Sequence, residues 1–144
     1  MQVKQILKDK PEGGVITIRP GTTVAELTKL LAEKRIGGVV VSSDGRTALG
    51  IISERDVVRQ LGQVGAESLS RPVEEYMTQK VEVCSSDDDT NEVLARMTRG
   101  RFRHMPVVDD GEMTGIVTIG DVVKAQISEL AMEKDALQGM IMGF

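Results

Sequence analysis

The chain has 144 residues, the size of one ordinary domain or two very small ones, long enough to bury a core without disulfide or metal staples. Its 22 acidic residues against 18 basic ones give a net charge of −4; with no Trp, one Tyr and two Phe it has neither the basic stripe nor the stacking platforms that nucleic acids need. A single cysteine, Cys84, excludes an internal disulfide framework and a thiolate-only zinc site, and no apolar run approaches the roughly 18 residues of a membrane helix. The opening segment, MQVKQILKDK, lacks the apolar stretch of a signal peptide. The expectation is a cytoplasmic protein with no nucleic-acid and no membrane partner.

Along the chain, VITI at 15–18 is short and β-rich, and Pro20 with Gly21 breaks it. Thr22 and Thr23 open a helix whose apolar positions Val24, Leu27 and Leu31 share one face. VVV at 39–41 reads as a buried strand, Asp44 and Gly45 as a hairpin turn, and LGII at 49–52 as the return strand. A second helix is expected from about Glu54, followed by a small-residue linker ending at Pro72. The pattern then repeats: VEVC at 81–84, a helix through Val93, Leu94 and Met97, MPVV at 105–108, a turn at Asp110 and Gly111, TGIV at 114–117, and a last helix from about Ile119.

The repetition extends to individual residues. GIISERDVVR at 50–59 recurs 65 positions later as GIVTIGDVVK at 115–124, and Val15, Glu26, Ile36, Asp44 and Gly45 recur 66 positions later as Val81, Glu92, Phe102, Asp110 and Gly111. One extra residue in the loop at 46–49 accounts for the difference. The fold class is therefore α+β: tandem β-α-β-β-α units spanning 1–62 and 73–126, a linker at 63–72, and a helical extension at 127–144. A sheet of about three short strands is marginal alone, so the two sheets are expected to pack face to face about a pseudo-two-fold axis. In the last helix Val123, Ile127, Leu130, Leu137 and Ile141 form a heptad-like stripe, which packs on the chain's own core or joins a homodimer.

Two stretches carry the candidate chemistry. Ser53 with Asp56, and Thr118 with Asp121, stand just before apolar helical runs in the spacing of a capping box. Such a motif is worth about 1 kcal/mol as a helix cap. The same geometry suits a ligand: a helix N-terminus attracts phosphate, and a carboxylate one turn in can accept the hydroxyls of a ribose. The second stretch, RGRFRHMP at 99–106, concentrates Arg99, Arg101, Arg103 and His104 in an otherwise acidic chain, which on composition alone reads as a solvated edge. His104 has no second His at a ligating spacing, Cys84 reads as a small buried hydrophobe, and the three acids at 87–89 suit the helix start at Thr90, so no metal site is expected.

Tandem units ending in G-h-h-[ST]-x-x-D, with h-P-V-V-D-D-G upstream in the second copy, resemble a CBS-domain pair, or Bateman module, over roughly residues 3–126. The resemblance implies a stand-alone, non-catalytic regulatory module. It would bind an adenosine-containing ligand such as AMP, ADP, ATP, NAD(H) or S-adenosylmethionine between the repeats, as an energy or redox sensor acting through an unidentified effector protein, and it would form a homodimer. Carried onto this sequence, one site would use Ser53, Arg55, Asp56, Lys80, Val81, Arg101, Arg103, His104 and Pro106, with Val81 and Pro106 lining the adenine slot. A second, weaker site would use Val15, Ile16, Gly38, Val40, Thr118 and Asp121; here Gly37 and Gly38 stand where the first has Arg103 and His104, Val40 replaces Pro106, and Gly120 replaces Arg55. The alternative is a homodimeric interaction module whose ligand sites are vestigial.

Overall fold

A computed structural model of the chain describes residues 1–10 and 15–142. The elements run α1 (Val3–Asp9), β1 (Thr17–Ile18), α2 (Val24–Lys34), β2 (Gly38–Val41), β3 (Gly50–Ser53), α3 (Glu54–Val64), two short 3-10 turns (Ala66–Ser70 and Val73–Glu75), α4 (Thr90–Gly100), β4 (His104–Asp109), β5 (Glu112–Thr118) and α5 (Ile119–Ile141). Residues 11–14 of the predicted first unit and the last two residues of the predicted extension lie outside the described residues.

The first half is the predicted β-α-β-β-α unit, and the second keeps the α-β-β-α part of it. In the first, β1 runs parallel to β2, and β2 pairs antiparallel with β3, Val39 opposite Ile52. In the second, β4 and β5 form an antiparallel pair with a register shift between Val107 and Val108, and the segment predicted as a strand at 81–84 is reduced to a single bridge, Cys84 to Val107. Both hairpins turn at a glycine of positive φ, Gly45 and Gly111, the backbone that an L side chain disfavours.

The helices form where the sequence caps them. Thr23 accepts the Glu26 N–H at 3.2 Å while the Glu26 carboxylate takes the Thr23 N–H at 3.2 Å, and Val24, Leu27 and Leu31 are buried beneath. Helix α4 starts at Asp89, whose carboxylate accepts the Asn91 N–H, and buries Val93 and Met97. Helix α2 and helix α4 end on left-handed residues at equivalent places, Arg35 and Arg101.

The cores are two. One gathers Val24, Leu27, Leu31, Val39, Val41, Ile52 and Val57 with Val73; the other gathers Val93, Met97, Met105, Val107, Val117 and Val122 with Val3 and Ile6. Each is thus completed from the far side of the sequence. The leading segment of the chain closes the second unit, and the segment after α3 closes the first. The backbone repeats the exchange: the Val3 N–H donates to Asp88 O and the Thr90 N–H to Met1 O, while the Val73 N–H donates to Thr22 O and the Val24 N–H to Arg71 O. Helix α1 was not predicted from the sequence, because seven residues with apolar positions at 3, 6 and 7 are too short to give a periodic signal.

The strap that closes each unit lies across a glycine. A Cβ on Gly50 would stand 2.5 Å from Met77 Sδ and 2.9 Å from the Thr78 carbonyl oxygen, and one on Gly115 would stand 2.6 Å from Leu7 Cδ2. Because part of the obstruction at Gly50 is backbone held by the Ile51–Thr78 bridge, Gly50→Ala is expected to cost about 1–3 kcal/mol, read as a lower urea midpoint at unchanged slope.

Candidate functional site

The first repeat's motif sits where β3 passes into α3. The Ser53 N–H donates to Asp56 Oδ2 at 2.9 Å and the Ser53 hydroxyl donates to the same oxygen at 3.1 Å. Asp56 Oδ1 is left to face Arg59 Nη1 at 3.7 Å. The carboxylate therefore caps the helix with one oxygen and presents the other. The second motif closes the full reciprocal box: the Thr118 N–H donates to Asp121 Oδ2 at 2.9 Å and the Asp121 N–H to Thr118 Oγ1 at 3.1 Å.

A cleft of about 430 Å³ opens in front of α3, between it and the second repeat. That volume falls within the range of small-molecule sites. From the first repeat Ser53, Arg55 and Asp56 line it; from the second, Lys80, Val81, Arg101, Arg103 and His104 do. Eight of the nine residues expected at the first site are thus brought to one wall or another. Pro106 lies behind them, buried in β4, its carbonyl accepting the Cys84 N–H at 3.0 Å. Sequence reasoning missed Glu54, Arg59 and Phe102, which also line the cleft. Arg59 could have been found, since it lies four residues after Arg55 on the same helical face. Phe102 follows from no motif; its ring lies over Gly100, where a Cβ would come within 2.4 Å of it.

The charge in the cleft is uneven. Arg55, Arg59, Lys80, Arg101 and Arg103 face Glu54, Asp56 and Glu82, a cationic excess in a chain whose net charge is −4. The apolar contribution comes from Ile51, Val81 and Phe102.

The residues expected at the second site are arranged differently. Val15 and Ile16 are half-buried, Val40 is buried between Thr17 and Ile51 in the sheet, and Gly38 is buried at the start of β2. The His104 ring lies over Gly38, its atoms 3.1–3.3 Å from where a Cβ would be. Asp121 meets Lys10, whose Nζ is 2.8 Å from Oδ2. Lys10 was not expected at this place. The signal was an offset of 70, not 65 or 66: Val3, Leu7 and Lys10 recur as Val73, Met77 and Lys80, the extra four residues being those at 11–14.

The family model described as CBS domain matches residues 3–63 and again 73–128. The chain belongs to the CBS-domain family. An uncharacterized 17.7 kDa protein of Acidianus ambivalens is 33% identical over 133 residues, 92% of this chain and 77% of its own length. The mitochondrial CBS domain-containing protein CBSX3 of Arabidopsis thaliana is 32% identical, covering 98% of this chain and 72% of that one. Among solved structures, the CBS-domain containing protein ATU1752 of Agrobacterium tumefaciens superposes with a TM-score of 0.83 at 40% identity, over 88% of this chain and 99% of that one. The CBS domain pair of MJ0100, solved in complex with 5′-methylthioadenosine and S-adenosylmethionine, gives 0.77 at 28% identity over 90% and 98%. The tandem CBS pair with two small sheets and a C-terminal helix is therefore the fold of this chain.

The one cysteine is chemically quiet. Cys84 is buried, and burial pushes its thiol up to about 11, which leaves no nucleophilic thiolate at neutral pH. Among the described residues no three His, Cys, Asp or Glu side chains gather as a metal-ligating cluster, and no helix is long and apolar enough to cross a membrane.

His104 is the group whose charge matters. Burial holds its imidazolium below the ordinary value of 6.5, with Glu54 and Asp121 opposing and Lys10 and Arg103 assisting that shift. The folded chain thus binds fewer protons at this site than the unfolded one. Stability contributed by the neutral ring is full above pH 6.5 and is lost as pH falls through the depressed value of the folded state. Urea midpoints measured from neutral pH down to the edge of the carboxylate range are expected to fall, and His104→Gln is expected to flatten that part of the profile.

Proposed function

We propose that this chain is a non-catalytic, cytoplasmic regulatory module that binds a phosphate-bearing adenine nucleotide (AMP, ADP, ATP or NAD(H)) in the cleft around Asp56. It reports the occupied state, as a homodimer, to a separate effector protein. The observation that carries the reading is the cleft itself: a carboxylate at a helix start with one oxygen turned toward Arg59, an apolar wall, and five cations within about 430 Å³. Asp56 Oδ1 would accept the ribose hydroxyls, Ile51, Val81 and Phe102 would bear on the purine, and Arg55, Arg59, Lys80, Arg101 and Arg103 would hold phosphate. The bound adenosine compounds of MJ0100, at 28% identity, support the adenosine half of the reading; the arginines support the phosphate half. A lone thiol with no disulfide partner suits a reducing compartment.

The homodimer rests on exposed apolar surface along the equivalent helices of the two halves, α3 and α5. Val58, Leu61 and Val64 on α3, and Val123, Ile127 and Leu130 on α5, are exposed, and α5 continues the stripe with Leu137 and Ile141. A seam with heptad steps on a free helix pairs with a copy of itself. Light scattering is expected to give twice the 15.6 kDa chain mass, and Leu130→Glu to give the chain mass alone; a wild-type monomer at micromolar concentration would remove the dimer.

Calorimetric and melting titrations with AMP, ADP, ATP, NADH and S-adenosylmethionine test the ligand. A bound nucleotide at about 100 times its dissociation constant adds roughly 2.7 kcal/mol to stability. Asp56→Asn keeps an acceptor for the Ser53 N–H but loses the charge, so its unliganded melting temperature should stay near that of the wild type while affinity drops more than tenfold. Arg103→Ala should weaken ATP and leave adenosine unchanged. No shift from any of the five compounds would leave an interaction module with vestigial sites.

A further inference from the structure

Asp56 and Asp121 hold equivalent positions, but their surroundings differ. In the second half, the Lys10 ammonium stands 2.8 Å from Asp121 Oδ2 and donates to the Ile116 carbonyl at 2.6 Å. Ile116 and Asp121 are the counterparts of Ile51 and Asp56, both of which line the open cleft. Lys10 therefore occupies the polar positions that a ligand of the second half would use. Its own counterpart, Lys80, lines the open cleft and, among the described residues, makes no ion pair.

The difference has a backbone cause. In the first half the closing strap is helical only over Val73–Glu75, turns at Tyr76 and Met77, and then bridges to β3: the Thr78 N–H takes the Ile51 carbonyl at 2.8 Å and the Ile51 N–H takes Thr78 O at 3.0 Å. In the second half the strap stays helical over Val3–Asp9, and the carbonyl of Ile116 is met by the Lys10 side chain.

We propose that the second cleft is closed by the chain's own Lys10, whose ammonium sits on Asp121 and Ile116 in place of a ligand, so that the protein takes one nucleotide per chain and not two. The proposal rests on the reading that these carboxylates are the ribose-binding groups. Two further facts agree with it. The His104 ring covers Gly38, one of the residues expected at the second site. Burial pushes the Asp121 carboxyl up, but the hydrogen bond from Lys10 and that from the Thr118 N–H outweigh it and hold the carboxyl below its ordinary value. A ligand must therefore displace an ammonium from a carboxylate that favours it, and can shift the equilibrium only by its preference for the open form.

The test counts equivalents by calorimetry, with ATP first and adenosine added once ATP is saturating. Wild type is expected to bind one equivalent in total. Lys10→Ala and Lys10→Met, the second keeping the apolar stem at the end of α1, are each expected to bind two, and Asp121→Asn added to either returns the count to one. Wild type binding two equivalents, or folded Lys10 variants remaining at one, overturns the closure while leaving the Asp56 cleft intact. No binding by wild type or by any variant overturns the nucleotide reading and this inference with it.

Discussion

Neither core of this protein is made by its own repeat alone. Val3 and Ile6, at the start of the first unit in sequence, are buried with Val93, Met97 and Val117 of the second; Val73, at the start of the second, is buried with Leu27, Val39 and Ile52 of the first. A sheet of two or three short strands cannot bury enough apolar surface to stand alone, and the exchange removes that deficit for both halves at once. It also sets the register between them. Once Val3 and Val73 are seated, the residues just beyond each, Lys10 and Lys80, are delivered to the helix starts at Asp121 and Asp56. The site is a consequence of how the cores are closed.

The capping chemistry and the candidate binding chemistry are the same atoms. Asp56 Oδ2 is consumed by the Ser53 N–H and hydroxyl, so the carboxylate is held in one orientation before any ligand arrives. That fixed orientation reduces what must be ordered on binding, and it leaves the second oxygen directed at the cleft side near Arg59. The Arg cluster on the opposite wall is likewise positioned by backbone. Arg101 closes α4 in the left-handed conformation, and the Arg103 carbonyl accepts the Ile119 N–H at 2.9 Å, tying this stretch to the start of α5. The equivalent bond in the first half joins the Glu54 N–H to Gly37 O at 2.8 Å.

Much of this was legible because the chain contains two copies of itself. The recurrence of G-h-h-[ST]-x-x-D gave the strand, the cap and the helix together, and local rules confirmed each: alternating or continuous apolar runs for β2 to β5, Thr and Asp caps for α2 and α4. What escaped was whatever does not follow the 65–66 offset. Helix α1 and the strap at 73–78 repeat at 70, and the two copies share only scattered residues, Val, Gln or Glu, and Lys. The strand at 81–84 failed for a different reason: nothing in the sequence tells that only Cys84 finds a partner in β4, while Val81 turns to the cleft wall. Phe102 was visible as the counterpart of Ile36, and each is partly buried against its own core; the cleft role of Phe102 appears only once Gly100 is known to leave room for the ring.

The asymmetry between the two clefts has a steric root at the pseudo-two-fold axis. His104 and Gly38 are equivalent residues, and in the folded chain they are in contact, with the imidazole atoms 3.1–3.3 Å from the position of a Cβ on Gly38. Two imidazoles cannot fill that space, so a large residue on one side requires a small one on the other. A Cβ on Gly37 would meet the same ring only at ordinary contact distance, 3.7 Å from His104 Nε2. A repeat protein that places an imidazole against its own axis thus has room for it on one side only. The half that keeps Arg103 and His104 gains a positively charged cleft; the half that yields with Gly37 and Gly38 is left with a carboxylate and no arginine opposite it, and the ammonium of Lys10 is what meets that charge.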